Sequence, residues 1–320
     1  MLPDDTLDQK FETLAKHAWD DEVRWQDVMA WLNNFKGEVV EEVEERRYAL
    51  FALTRFMYFS RRMVREMLRS LYRDHFQSPM LQRIRRNYGG IRDVNVLEGL
   101  YKRELIATRF LGVGNPSESG AHLLYFFRQI NGLSKDLFGD FSSAFELRGV
   151  KNGAGVDVVY VPRESGVRRY VFFDDLVGSG TQIIDYLSRH LVRLRETRAD
   201  LDIRFMSLFS TSEGLAKLNQ PGMFNGKAIC LFELDETFRA FGNSSRHFSN
   251  HPDWFDIDVM CRIARHYGAR FLNRDHALGY KNGQLMVGFS HNTPDNTLPM
   301  FWLDNVDPPW SPAFIRYHKH

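Results

Sequence analysis

Residues Tyr170 to Gln182 read YVFFDDLVGSGTQ, an apolar run that stops at two adjacent aspartates and continues into a small-residue turn. The run Tyr170–Phe173 has the composition of a buried strand. In an open α/β sheet, ligands bind beyond the carboxyl ends of the strands, so Asp174 and Asp175 are expected to emerge there. Gly178, Ser179, Gly180 and Thr181 then open a helix predicted over TQIIDYLSRHLVRLRETRA. A glycine-rich turn feeding a helix N-terminus offers an anion unsatisfied N–H groups and the positive end of the helix dipole. Two carboxylates beside such a turn would repel a bare anion. They suit a ligand that also carries hydroxyls or a developing positive charge near its phosphate, and a ribose 5-phosphate has that shape. The same residues would equally serve as a helix-capping turn with solvated acids.

The surrounding pattern frames this stretch. After about residue 105, IATRFLGVG, VDVVYVPR, RRYVFFDD, DIRFMSLFST and KAICLFEL read as strands. Helical stretches alternate with them, which predicts an α/β fold with a mostly parallel sheet flanked by helices. Only the short ESG turn separates VDVVYVPR from RRYVFFDD, a tight connection bounded by Arg163, Arg168 and Arg169 as strand-end arginines. Before residue 105 the chain reads as helix, with Phe11, Leu14, Trp19, Val23, Val28, Trp31 and Leu32 at roughly helical spacing. From Gly37 to Phe76 the pattern predicts one long helix, or two joined by a kink near Ser60, with Pro79 as a breaker. The expected organisation is an N-terminal helical region over 1–105 and an α/β domain over 106–320.

Composition narrows the classes. The 320 residues are 43% hydrophobic, enough for a sizeable core, and 42 Lys and Arg balance 41 acids. Net charge therefore carries no nucleic-acid signal. A local one is conceivable: Arg62, Arg65, Arg69 and Arg73 fall on one helix face. That face is either solvated and paired with acids such as Glu41, Glu42, Glu44 and Glu45, or a phosphate-tracking stripe for nucleic acid. Cys230 and Cys261 form no metal spacing and suit a reducing compartment. The start MLPDDTLDQK is unlike a signal peptide, and no uncharged run reaches membrane-spanning length. The expectation is a soluble, cytoplasmic protein.

Competing motifs are weak. GSG is a fragment of a dinucleotide fingerprint without its third glycine, and no Gly-Lys-Ser/Thr follows to make a P-loop. The segment VFFDDLVGSGT instead resembles the phosphoribosyl-diphosphate signature of type I phosphoribosyltransferases. The resemblance implies that fold, with Asp174 and Asp175 on the ribose hydroxyls and the cationic sugar of the transition state. It implies Gly178, Ser179, Gly180 and Thr181 on the 5-phosphate, and Mg2+ bound mainly through the ligand rather than by protein ligands. A pyrophosphate-binding turn is then expected after the first sheet strand. FLGVGNPSESGAHLLYFFRQ fits, with Gly114, Ser117, Glu118, Ser119 and Gly120, although Ser117 or Ser119 would also serve as an ordinary N-cap. With no Lys or Arg in that turn, Arg128 or a remote base would supply positive charge.

Toward the end of the chain, LGYKNGQLMVGFSHNTPDNTLP is dense in donors, acceptors and aromatics. Lys281, His291, Asn292 and Thr293 suit recognition of a base or second substrate, while HNTPDNT also reads as Asx turns around Pro294. This ending, the helical front, LGVGNPSESGAHLLYFFRQINGLS, DDLVGSGTQ and ELDETFRAFGNSSRHF are similar to one bacterial group over about residues 40 to 315. They resemble the phosphoribosyltransferase-like conflict effectors of anti-phage systems, including retrons. Membership implies a transferase-like effector that binds phosphoribosyl diphosphate or a related nucleotide and acts at the ribose anomeric carbon. It also implies a reverse transcriptase with its RNA–DNA product as partner. The alternative is a non-catalytic module that senses a ribose-phosphate ligand and signals through the helical region.

Overall fold

The computed structural model describes residues 5–114, 119–152, 155–304 and 306–316. In chain order, α1 (Asp5–His17), α2 (Trp25–Leu32) and α3 (Glu42–Leu53) precede a short strand β1 (Met57–Phe59). Helix α4 (Arg61–Tyr72) then runs through a π-helical turn, Arg73–Gln77, into α5 (Ser78–Asn87), and α6 (Val94–Ile106) follows. Next come β2 (Thr108–Gly112), α7 (Ser119–Ile130), β3 (Phe138–Gly139), α8 (Phe141–Ala144), β4 (Phe145–Asn152) and β5 (Gly155–Pro162). The order continues with β6 (Arg169–Val177), α9 (Thr181–Thr197), β7 (Asp202–Thr211), α10 (Ser212–Leu218) and β8 (Ala228–Leu234). Helix α11 (Ile257–Phe271) and strand β9 (Val287–Phe289) complete the main elements.

Two compact units divide this chain: Arg65–Glu233, and a first unit made of residues 1–64 with 234–320. The expected division between 105 and 106 falls inside the Arg65–Glu233 unit. Packing explains why. Phe76, in the turn between α4 and α5, meets Phe110 of β2 with ring centroids 5.0 Å apart, and Tyr72 meets Phe127 of α7 at 5.7 Å. The helical residues of this unit that precede residue 106 thus pack on the sheet that follows them. Pro79 does not break the helical run, because it occupies the first turn of α5, where a missing N–H is tolerated.

Within Arg65–Glu233, a five-stranded sheet has the order β3-β2-β6-β7-β8, and β3, β2, β6 and β7 pair in parallel. Helix α9 lays Ile183, Leu187, Leu191 and Leu194 on one face, against Tyr170, Phe172, Ile203 and Phe205. The α/β architecture expected from the alternating pattern is therefore present. VDVVYVPR behaves differently from expectation. It lies in β5, which pairs antiparallel with β4, and this hairpin stands outside the five-stranded sheet. The connection into β6 is thus tight only at its end, after a full hairpin. Leu147 and Val158 on the hairpin are exposed, and an alternating pattern alone does not say which sheet a strand joins.

The first unit joins the two ends of the chain. Met57, Tyr58 and Phe59 pair in parallel register with Val287, Gly288 and Phe289, so a strand interrupts the helical front beside Ser60. Trp31 stacks on Phe301 at 5.4 Å and donates its indole N–H to the Met300 carbonyl at 2.7 Å. Glu45 is no surface partner for the arginine face. It is fully buried, and it accepts from the Gly37 and Val39 amides at 2.8 and 2.6 Å and from the Tyr267 hydroxyl at 2.6 Å. Burial and that bond to Glu45 push the Tyr267 hydroxyl well above its usual range.

At the amino ends of the strands in the Arg65–Glu233 unit, Arg169 is only 5% exposed rather than a solvated strand-end residue. It donates to Asp202 Oδ2 at 2.9 Å, Glu104 Oε2 at 3.0 Å and Thr108 Oγ1 at 3.1 Å. Arg204 and Lys227 close on the same Asp202 carboxylate at 2.8 and 3.0 Å. Burial alone would raise the Asp202 carboxyl. The hydrogen bond and charge of Arg204, with bonds from Lys227 and Arg169, outweigh it and hold the group well below the usual carboxylate range. Breaking a buried ion pair costs roughly 3–5 kcal/mol, so Asp202→Asn is expected to lose about 3 kcal/mol in urea or thermal unfolding. A depressed folded pKa stabilises fully above the unfolded value of about 3.9 and loses that contribution as pH falls through the folded one. The acid limb of the stability curve is expected to be flatter in the variant than in the wild-type protein.

Candidate functional site

Tyr170 to Phe173 of β6 are fully buried. Alternation along the strand puts Tyr170, Phe172 and Asp174 on one face, and register sets them beside Ile203, Phe205 and Ser207 of β7. The apolar column under α9 therefore ends, at the carboxyl edge, in Asp174 and Ser207. Asp175 points to the opposite face and is 7% exposed. Each carboxylate holds the following amide: Asp175 N–H donates to Asp174 Oδ1 at 2.9 Å, and Leu176 N–H to Asp175 Oδ1 at 2.8 Å. The two acids are thus oriented before any ligand arrives. Beside them, the Ser207 hydroxyl is fully buried and has no hydrogen-bond partner, a residue that sequence reasoning passed over within a plain apolar strand.

After Val177 the chain turns through Gly178, Ser179 and Gly180 into α9. Gly180 has a φ of 71°, the left-handed region where glycine is at home, and no side chain caps the helix. The Ser179 and Thr181 hydroxyls lie 3.0 Å apart. Backbone N–H groups, two hydroxyls and a helix N-terminus together suit a phosphate.

A second segment shapes this turn. Thr211 Oγ1 donates to the Gly178 carbonyl at 2.7 Å and accepts from Gly214 N–H at 3.0 Å. Gly214, in α10, lies so close that a Cβ would overlap the Gly178 carbonyl oxygen. Lys217 Nζ lies 3.4 Å from the Ser179 carbonyl oxygen and is ion-paired with Glu213. In sequence, EGLAKLNQ is no more than a helical turn. A glycine inside that turn, where helix propensity disfavours it, was the available signal.

The other expected site residues fall in two places. Gly114, with a φ of 85°, follows β2, which pairs with β6 through Gly112 opposite Phe173. It therefore leaves the sheet at the same carboxyl edge as Asp174. Ser119 and Gly120 open α7, while Ser117 and Glu118 lie outside the described residues. Lys281, His291, Asn292 and Thr293 belong to the first unit. Thr293 is fully buried and donates its hydroxyl to the Ile315 carbonyl at 2.9 Å. Asn292 exchanges backbone hydrogen bonds with Phe289, on whose ring His291 stacks at 5.3 Å. Lys281 adopts a left-handed backbone, with Nζ 5.5 Å from the Tyr280 ring centroid.

The arginine face is largely engaged by acids. Arg62 pairs with Asp20 at 2.7 Å, Arg69 with Glu66 at 2.6 Å and Arg73 with Asp74 at 2.7 Å, while Arg65 lies over Phe126. No helix among the described residues is long and apolar enough to cross a membrane.

The PRTase-CE family model matches residues 28–316. The chain belongs to the PRTase-CE family. No curated protein matches it. Among solved structures, the xanthine-guanine-hypoxanthine phosphoribosyltransferase of Helicobacter pylori is 13% identical, with 49% of this chain and 77% of that one covered and a TM-score of 0.26. The orotate phosphoribosyltransferase of Aeropyrum pernix is 16% identical, with 41% of this chain and 63% of that one covered and a TM-score of 0.24. Family membership and the α/β fold suggest a phosphoribosyl-transfer-like function for this PRTase-CE protein.

The contact between Gly214 and Gly178 yields a test of the turn. Overpacking costs roughly 1–3 kcal/mol, so Gly214→Ala is expected to lower stability by about that much and to displace the Gly178 carbonyl. A Cβ on Gly166 meets nothing within 4 Å. Gly166→Ala, measured by the same thermal unfolding, is expected to stay within about 0.5 kcal/mol of wild type.

Proposed function

We propose that the turn from Asp174 to Thr181 binds phosphoribosyl diphosphate or a related nucleotide and that a bond at the ribose anomeric carbon is made or broken there. The carrying observation is the acid pair after the fully buried Tyr170 to Phe173 of the central strand, followed beyond Val177 by a left-handed glycine turn into α9, in a PRTase-CE chain. Gly178 to Thr181 would hold the 5-phosphate through amides and the Ser179 and Thr181 hydroxyls. Asp174 and Asp175 would face the ribose hydroxyls. As the C1–O bond to pyrophosphate breaks, its electron pair leaves with the pyrophosphate, and the acids stabilise the positive charge that develops on the sugar. A lone pair of the acceptor then forms the new bond at C1. The turn containing Gly114, Ser119 and Gly120, with Ser117 and Glu118, would hold the pyrophosphate.

Magnesium would enter as an ion held largely by the ligand. Asp174 and Asp175 would add carboxylate oxygens to those of the ligand. When bound, it would supply charge neutralisation to the departing pyrophosphate. Lys281, His291 and Asn292 of the first unit would take a base or second substrate, with Thr293, buried and bonded to the Ile315 carbonyl, holding their segment in place. At the biological level the reading is an anti-phage effector of the retron type, regulated by a reverse transcriptase and its RNA–DNA product.

Pyrophosphate release from phosphoribosyl diphosphate by the purified protein, with magnesium and candidate bases or nucleotides, tests the reaction. The Asp174→Asn/Asp175→Asn variant is expected to remain folded and to lose at least about 100-fold in rate. Cells carrying it are expected to lose protection in a phage-challenge assay. Equal rates in variant and wild type would sink the catalytic assignment. Tight ligand binding without any turnover would instead support the sensing module.

A further inference from the structure

The nine residues from Asp174 to Gln182 include two carboxylates and no Lys, Arg or His. A phosphate monoester placed on Gly178 to Thr181 would bring close to two further negative charges at neutral pH. Backbone dipoles and hydroxyls offset part of that repulsion, but a full positive charge near the turn changes the balance. Lys217 places one there: its Nζ lies 3.4 Å from the Ser179 carbonyl oxygen.

That placement is built into the fold. Thr211 bridges the Gly178 carbonyl and the Gly214 amide, and the close approach of Gly214 to Gly178 leaves no room for a side chain between α10 and the turn. Both contacts hold the backbone that carries Lys217. Its other neighbour is Glu213, one helical turn earlier on α10, and the two side chains are 37% and 66% exposed. An exposed i,i+4 pair contributes little and is easily exchanged, whereas a charge-assisted bond to phosphate is among the stronger polar contacts.

We propose that Lys217 is the charge partner of the phosphate held by Gly178 to Thr181, and that it passes from Glu213 to that phosphate when the ligand binds. This rests on the reading of the turn as a phosphate site and names its missing cation. Glu213 then acts as a competitor that holds Lys217 at the turn in the empty state and weakens phosphate binding by doing so.

Calorimetric titration of the full-length protein with ribose 5-phosphate tests the assignment, with melting temperature recorded for every variant. Lys217→Gln is expected to weaken binding about tenfold or more, with an unchanged melting temperature and a shallower dependence on salt. Lys217→Arg is expected to restore most of the affinity. Glu213→Gln is expected to tighten binding a few-fold, an opposite shift that a merely structural role for the helix would not produce. If wild type binds ribose 5-phosphate and Lys217→Gln binds it equally well with the same salt dependence, Lys217 is not the charge partner, while the phosphate site stands. Should wild type fail to bind, both the phosphate site and the role of Lys217 fall.

Discussion

Tyr170 to Phe173 lie between α9 on one face of the sheet and α7 on the other, with Phe127 of α7 meeting Phe173 at 5.2 Å between ring centroids. A strand enclosed on both faces has no low-energy place for a charge until it leaves the sheet. The two aspartates follow directly on Phe173, where pairing with β2 ends, while β6 runs on to Val177 beside β7, and their direction is set by the pleat rather than by any local turn. Parallel pairing with β2 and β7 brings the Gly114 turn and Ser207 to the same edge. Every candidate contact of the Arg65–Glu233 unit derives its position from that one buried strand.

The turn after β6 shows how little freedom such a site has. Gly180 bends into a left-handed conformation, Thr211 ties the Gly178 carbonyl, and Gly214 lets α10 approach. None of these contacts need carry the ligand. They set the direction of the amides that would, and preorganised dipoles act without reorganisation when charge arrives. At the opposite end of the same strands, Arg169 and Asp202 anchor the sheet through buried ion pairs. The Arg169–Asp202 ion pair and the acid pair thus lie toward opposite ends of the same strands.

The first unit is discontinuous in sequence, and its HNTPDNT segment serves the fold directly. Thr293 bonds the Ile315 carbonyl, Asn296 the Tyr280 carbonyl at 3.3 Å, and Thr297 the Val287 carbonyl at 2.6 Å. Side chains that looked like recognition groups in a linear reading satisfy buried backbone carbonyls here, which a core of this kind requires. The arginine face of α4 and the π-helical turn after it likewise finds acids at Asp20, Glu66 and Asp74, two of them within three residues of their arginines and none of them on α3.

The sequence alone was sufficient for the alternating α/β pattern, the acid pair toward the carboxyl end of the central strand, and the glycine turn into α9, although the strand itself runs two residues past the acids to Val177. These follow from local periodicity and from the backbone freedom of glycine, both readable over a dozen residues. Which strands become neighbours was not readable. VDVVYVPR pairs with Phe145–Asn152 instead of joining the main sheet, Met57–Phe59 pairs with Val287–Phe289, and the residues after Leu234 fold with those before Arg65. The approach of Thr211, Gly214 and Lys217 to the turn belongs to the same class. Such contacts depend on the closure of long loops and on complementary packing between distant segments, and only the tertiary structure decides them.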